Sequence, residues 1–248
     1  MKASAIIVTI ISFVFILQAV VNFASPSKKN HQTKTNHPPV VKIINPKASS
    51  LFEWNTQVNY QITVSDKEDG DSKYDEINTK EVLLEVRYIK DTSNLQSELS
   101  KPARNDAGDL ALMRASNCFN CHNFTGKLIG PSFYDISKKY PYTSSNIALL
   151  AKRITDGTTG IWGKVTMPKH PELSKSQAQT IVEWILQNAA NQAVHYYIGT
   201  EGFFKANPLA PQQKGAYILI ASYIDHGVKD DTAIQHLPGR DVILIKGK

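Results

Sequence analysis

The chain has 248 residues, of which 42% are hydrophobic and 20% are charged, a composition that excludes a largely disordered protein. Its length suits one large domain or two to three small ones. The formal net charge of +6 does not point to nucleic acid, because the basic residues are scattered and no stripe of basic and aromatic residues accompanies them.

An apolar run without charged residues, residues 3–21, follows Met1 and Lys2. Its length of about 20 residues is enough to cross a bilayer. We therefore predict that residues 1–24 are either a signal peptide or an uncleaved membrane anchor. In both cases the remainder of the chain is exported to the periplasm or cell envelope. Residues 25–39, rich in Ser, Lys, Asn, Thr and Pro, are predicted to be a flexible linker.

Residues 40–96 consist of short runs in which apolar and polar side chains alternate, as in residues 58–64. Turn signals such as Asp69-Gly70 separate these runs. Alternation with a period of two is typical of β-strands, so this segment is predicted to be a small β-sandwich. The polar residues 97–105 are predicted to be a second linker.

Both cysteines of the chain lie in the sequence Cys118-Phe119-Asn120-Cys121-His122. C-x-x-C-H is the attachment signature of a c-type haem, in which both thiols bond to the haem and the histidine binds the iron. The alternatives are a redox pair, half of a zinc site or a structural disulfide. A redox pair is expected beside a βαβ pattern and a zinc site needs a second ligand pair, and the sequence has neither. We predict one haem c, bound covalently through Cys118 and Cys121.

Helical patterns surround this motif within residues 106–190. One pattern begins near Gly108 and runs into the motif, and a second covers residues 147–154. A third follows Ser174, which forms a capping box with Gln177. Three helices joined by long loops predict a small all-α domain.

These features resemble the class I c-type cytochromes, in which a Gly-Pro pair and later a Met-Pro pair follow the C-x-x-C-H motif. Gly130-Pro131 and Met167-Pro168 stand in those positions. The resemblance implies that the carbonyl of Pro131 accepts a hydrogen bond from Nδ1 of His122, which orients the imidazole. It also implies that Met167 is the second iron ligand, a soft neutral donor that favours Fe(II).

Two of these assignments have alternatives. Core packing is the usual role of a methionine, and His170 competes with Met167 as an iron ligand because it lies three residues further along the same loop. A haem with two histidine ligands would have a lower potential. The resemblance also implies that Trp162 lines the haem edge near a propionate, although packing alone would explain this residue equally well.

The last segment, residues 191–248, again alternates like strands, with glycine and proline residues between the runs. It is too short for a complete sandwich, and we predict a small sheet that caps the helical domain. The predicted fold is therefore multidomain: a β-sandwich, an all-α class I cytochrome c domain and a small β-rich C-terminal segment.

A more specific resemblance covers longer stretches of the chain. The stretches GPSFYDISKKY, GIWGKVTMPKHPELS and IVEWIL are similar to the cytochrome module of exported bacterial sugar-dehydrogenase-like and glycan-related proteins. The stretches HPPVVKIINP and VSDKEDGD resemble PKD-like immunoglobulin-type domains, which often precede that module. The resemblance implies that a catalytic partner would be a separate chain.

The predicted function is electron transfer rather than catalysis. We expect a periplasmic, membrane-tethered cytochrome that carries single electrons between a dehydrogenase or another redox partner and a respiratory acceptor. One alternative is a haem-based sensor or binding module whose β domains grip a glycan or a protein. The other is a peroxidase-like enzyme, which needs an open iron site and usually a second haem.

Overall fold

The computed structural model describes residues 35–100, 108–207, 215–229 and 235–248. The predicted signal peptide or anchor, residues 1–24, and most of the first linker lie outside the described residues. Within the described part of the chain, no helix is long and apolar enough to span a membrane.

Strands β1 to β9 form two sheets. In the first sheet, β3 is the central strand. The other three strands, β1, β4 and β7, each pair antiparallel with it. The second has the order β2-β9-β8-β5-β6, in which the β2–β9 pair is parallel and the others are antiparallel. The strand bounds are β1 Val40–Asn45, β2 Leu51–Phe52, β3 Gln57–Asp66, β4 Gly70–Asp71, β5 Leu83–Ile89, β6 Val194–Ile198, β7 Glu201–Lys205, β8 Ala216–Ile224 and β9 Pro238–Gly247.

One buried cluster joins the inner faces of the two sheets. Along β3 every second side chain is buried, including Tyr60, Ile62 and Val64. These side chains share a hydrophobic cluster with Leu84 of β5 and Leu219 of β8 in the other sheet. The alternation with a period of two thus turns one face of each sheet inward, which makes this part of the chain a β-sandwich.

The strand pairing corrects the predicted division of the β regions. We expected a sandwich within residues 40–96 and a separate small sheet within residues 191–248, but β5 from the first segment pairs with both β6 and β8 from the second. The alternation predicts which face of a strand is buried, whereas the identity of its partner strand depends on long-range packing that the pattern does not encode. Both segments therefore build the same sandwich.

The helices lie between β5 and β6 in the chain. Their bounds are α1 Leu95–Ser100, α2 Gly108–Ala115, α3 Phe133–Lys139, α4 Ser144–Asp156 and α5 Lys175–Asn188. Helix α1 includes part of the predicted second linker. The predicted capping box is confirmed, because Ser174 accepts from the backbone of Gln177 while the Gln177 side chain accepts from the backbone of Ser174.

The two ends of this helical insertion leave the sandwich side by side. Arg87 near the end of β5 pairs with Val194 at the start of β6, and the backbone nitrogen of Tyr88 donates to the carbonyl of Ala193 over 2.8 Å. The insertion then packs on the outer face of the second sheet. Leu83 and Tyr196 from that face belong to the hydrophobic cluster that forms the core of the helical domain.

Candidate haem site

The helical domain contains an open cleft of about 1070 Å³, lined mainly by apolar side chains. This volume includes space that is open to solvent at the mouth of the cleft. The cleft brings together the six residues that were predicted to hold the haem, Cys118, Cys121, His122, Pro131, Trp162 and Met167, but not the alternative ligand His170. Ile154 of α4 and Ile181 and Ile185 of α5 contribute to its apolar wall.

A single tight turn places both thiols and the imidazole on one side of the cleft. Residues Cys118–Asn120 form one 3₁₀ turn, and the carbonyl of Cys118 accepts from the backbone nitrogens of Cys121 and His122. The two cysteines do not form a disulfide. Burial raises the pKa of the Cys118 thiol to about 12, so this side chain lacks the thiolate character of a reactive redox cysteine.

The imidazole of His122 is held on two sides. Its Nδ1 lies 2.7 Å from the carbonyl oxygen of Pro131, and because a carbonyl oxygen only accepts, Nδ1 carries the hydrogen. The ring also stacks on Phe133, with centroids 5.4 Å apart and planes inclined by 21°. Burial lowers the pKa of His122 and favours the neutral ring, whose Nε2 then offers a lone pair to a metal.

Gly130 allows the chain to approach this ring closely. A Cβ atom at Gly130 would lie 2.5 Å from Cε1 of His122, which is closer than side-chain atoms pack. The backbone nitrogen of Gly130 donates to the carbonyl of Cys121 over 2.8 Å. The Gly-Pro pair therefore serves the imidazole twice, since Gly130 leaves room for the ring and Pro131 accepts its proton.

Met167 is held by a short hairpin that begins after α4. Thr158 and Met167 pair through two backbone hydrogen bonds of 3.1 and 2.8 Å. Gly157, at φ +77°, lets the chain turn tightly at the base, where a Cβ atom would lie 2.9 Å from the carbonyl oxygen of Met167. These contacts fix the backbone of Met167 beside the cleft that its side chain lines.

His170, the competing ligand, is engaged elsewhere. Its Nδ1 lies 2.8 Å from Oε1 of Glu172, and its backbone nitrogen donates to the carbonyl of Ile154 over 3.0 Å. His170 is absent from the lining of the cleft, to which Met167 contributes.

Cationic side chains stand at one edge of the cleft. Trp162 lies near the tip of the hairpin, and Nζ of Lys139 lies 4.4 Å from its ring centroid. Arg153 of α4 lines the cleft and donates from Nη1 to the hydroxyl of Tyr140 over 2.9 Å. Arg153 was not among the site residues predicted from the sequence. Its spacing from Leu150, three residues earlier on the buried face of α4, is the signal that would have found it.

The comparisons with known proteins match this part of the chain. The family model described as Cytochrome c matches residues 110–189. Cytochrome c-552 of Nitrosomonas europaea is 35% identical over 78 residues, which are 32% of this chain and 76% of that protein. Cytochrome c-551 of Azotobacter vinelandii is 37% identical over 75 residues, which are 30% of this chain and 90% of that protein.

The chain belongs to the cytochrome c family. A solved structure of wild-type cytochrome c552 from Nitrosomonas europaea also matches, at 33% identity over 32% of this chain and 96% of that one, with a TM-score of 0.30. The class I monohaem cytochrome domain identified by the family model, residues 110–189, covers about a third of the chain, and the β-sandwich lies outside these residues.

The residues of the cleft fit the haem c of this family. Two thiols on one turn, a neutral imidazole beside them and apolar walls suit a covalently attached macrocycle with an iron centre. The cations at one edge suit its carboxylate groups. One haem c is therefore attached through Cys118 and Cys121.

Proposed function

We propose that this cytochrome is an electron carrier in which His122 and Met167 are the two iron ligands. The observation that carries the proposal is that one apolar cleft holds the His122 imidazole and the Met167 side chain together with both cysteines. When bound, the haem supplies a one-electron redox centre. The chain's own residues orient the imidazole, keep the thioether in place and exclude water from the cleft.

The contacts around Met167 favour a carrier over an enzyme. A peroxidase-like centre needs an iron position that is open or easily vacated, whereas the backbone of Met167 is held by two hydrogen bonds to Thr158. Because the chain has only two cysteines, it has one C-x-x-C-H motif and cannot attach a second haem in this way. A haem sensor remains the second candidate if Met167 leaves the iron on reduction.

We propose that redox partners dock at the mouth of the cleft. Ile129, Trp162 and Val165 line the cleft and are also exposed. An apolar centre with a charged rim is typical of transient electron-transfer interfaces. Lys139 lies over Trp162, and three further lysines lie within two residues of cleft-lining residues in the sequence: Lys127, Lys164 and Lys169. We therefore propose that the partner, a dehydrogenase donor or a respiratory acceptor, presents an acidic surface to this mouth.

We also propose an exported location, with residues 1–24 as a signal peptide or a membrane anchor. Its support is the apolar run in residues 3–21 together with a haem that is attached outside the cytoplasm.

We further propose that the cytochrome domain spans residues 106–190. The β-sandwich, which we propose is PKD-like, would present it to its partners on the cell envelope.

The deciding experiment compares the optical spectra of wild-type holoprotein, Met167→Leu and Met113→Leu, all expressed with a haem-attachment system. Met113 is a fully buried methionine on α2 outside the lining of the cleft, so it is a matched control. We expect the weak sulfur-to-iron band of the oxidised protein in wild type and in Met113→Leu, and its loss in Met167→Leu. A wild type without this band, or one that binds carbon monoxide at once when reduced, would contradict the proposal and favour a sensor.

A further inference from the structure

A chain of aromatic rings connects His122 to the β-sandwich. His122 stacks on Phe133, whose centroid lies 5.4 Å from that of Phe124. Phe124 in turn lies 4.9 Å from Tyr196, with the planes inclined by 34°. Tyr196 belongs to β6, so three successive ring contacts lead from the haem motif to a strand of the sandwich.

These four rings are almost completely shielded from solvent, and Phe124 and Tyr196 lie outside the lining of the cleft. Their exposed fractions are 8% for His122, 3% for Phe133, 4% for Phe124 and 5% for Tyr196. Trp184 of α5 packs beside the last two rings. The centroid of its indole lies 5.9 Å from that of Phe124 and 5.5 Å from that of Tyr196. In a close-packed core, a displacement of one ring must be taken up by the next.

Tyr196 is the fixed end of this chain of rings. It pairs with Glu85 in the middle of the β5–β6 ladder, and β5 is held on its other side by β8. Its neighbour Tyr197 points to the opposite face of the sheet and packs against the sandwich core. Tyr196 lies beyond residue 189, where the match to the cytochrome c model ends.

We propose that Tyr196 is a positioning residue for the haem: the sandwich uses its ring to set the orientation of the His122 imidazole. The hydrogen bond to Pro131 fixes one edge of the imidazole but not the plane of the ring, and Phe133 fixes the plane by stacking on it. Phe124 holds Phe133, and Tyr196 holds Phe124. The orientation of a ligating imidazole and the strength of its outer hydrogen bond tune the iron.

This role gives the β-sandwich a function beyond carrying the helical insertion. The β-sandwich is part of the haem environment, so the cytochrome domain depends on β6 for its proximal geometry. The inference rests on the proposed function, because it takes His122 as an iron ligand.

The test uses the full-length oxidised holoprotein and its proton NMR spectrum, in which the strongly shifted haem methyl resonances report the orientation of the axial ligands. The variants are Tyr196→Leu, Tyr196→Phe and Tyr197→Leu. Tyr197→Leu removes the same ring from the same strand on the opposite face, and Tyr196→Phe keeps the ring. We expect a changed methyl pattern in Tyr196→Leu alone, with wild-type patterns in the other two.

Each other outcome has a definite meaning. A wild-type pattern in Tyr196→Leu overturns the proposal, as does an equal change in Tyr197→Leu, which would point to general loosening of the sandwich. An equal change in Tyr196→Phe would show that the ring does not carry the effect. If Tyr196→Leu does not accumulate, Tyr196→Met replaces it. Methionine also lacks the ring, but its longer and more flexible side chain fills more of the space, and the same outcomes apply. A wild type without shifted methyl resonances of a low-spin haem contradicts the proposed ligation itself, which separates that failure from failure of the inference.

Discussion

Arg114 on α2 donates a hydrogen bond from Nη2 to the hydroxyl of Ser222 on β8 over 3.1 Å. Arg114 is 8% exposed and Ser222 is 2% exposed, so this contact is buried where the helical insertion meets the second sheet. The guanidinium also lies within reach of the carbonyl of Glu81, with Nη1 at 3.4 Å. The helix that leads into the haem motif is thus bonded to the central part of the sandwich.

Replacement of Ser222 should weaken this junction. Ser222→Ala removes an acceptor from a buried cation, and we expect a loss of about 1–3 kcal/mol in the free energy of unfolding. Urea denaturation of the oxidised holoprotein measures this loss. Ser137→Ala is the control, because its hydroxyl donates to the carbonyl of Tyr134 at the surface of α3 and its removal should cost much less. Equal losses in both variants would contradict a special role for the junction.

A side chain at position 130 should disturb the imidazole. In Gly130→Ala the new Cβ would meet Cε1 of His122 at 2.5 Å, so the ring or the backbone must shift. Overpacking of this kind costs about 1–3 kcal/mol. We expect a less stable protein in which a weakened bond between Nδ1 and Pro131 makes His122 a poorer donor and raises the midpoint potential, which protein film voltammetry measures.

Gly126→Ala separates this clash from a backbone effect. Gly126 has φ +75°, which alanine adopts at a cost, but a Cβ atom there would meet nothing within 4 Å. We expect lower stability without a change of potential. A similar change of potential in both variants would mean that contact with His122 is not the cause.

The haem motif was predictable because its chemistry is local. Cys118, Cys121 and His122 share one turn of chain, and the capping box of Ser174 and Gln177 lies within four residues. Short spacings of this kind are visible in a sequence whatever the rest of the fold does.

The architecture was not predictable in the same way. Leu84 of β5 pairs with Ala221 of β8, and these two residues are more than a hundred positions apart in the chain. A local sequence pattern does not specify such a pairing. Almost every residue of β8 is buried, because both faces of this strand are covered. Its continuous apolar sequence therefore does not show which face meets the sandwich core and which meets the helices. The contact of Tyr196 with Phe124 could not be predicted from the sequence, because an aromatic residue in a strand is ordinary.

His226 should make the stability of the sandwich depend on pH. Its Nδ1 lies 3.1 Å from Asp69 and its Nε2 lies 3.0 Å from Glu81, and these carboxylates raise the pKa of His226 to about 9. The hydroxyl of Tyr223 also donates to Asp69, over 2.7 Å. Because the folded state holds the proton more tightly than the unfolded state, the stabilisation is complete below about pH 6.5 and is lost as the pH rises through about 9.

The effect is modest because more than half of the His226 side chain is exposed and solvent screens the pairs. We expect about 1 kcal/mol or less. Urea titrations between about pH 6 and pH 10 measure it, with His226→Gln as the comparison. Wild type should lose more stability than His226→Gln across this interval, and parallel curves for the two proteins would rule out His226 as the source.

Charge at the mouth of the cleft should control the rate of electron exchange with small ionic reagents. Lys139 lies over Trp162 and Lys164 is two residues from it, so Lys164→Glu reverses a charge beside the haem edge. We expect oxidation of the reduced protein by ferricyanide, an anion, to slow by roughly threefold to tenfold at low salt and the difference to shrink at high salt. Stopped-flow absorbance measures these rates.

A cationic cobalt complex should show the opposite change, whereas Lys205→Glu on β7 should leave both rates unchanged. Equal slowing with both reagents would mean that the substitution altered the haem rather than the field at its edge.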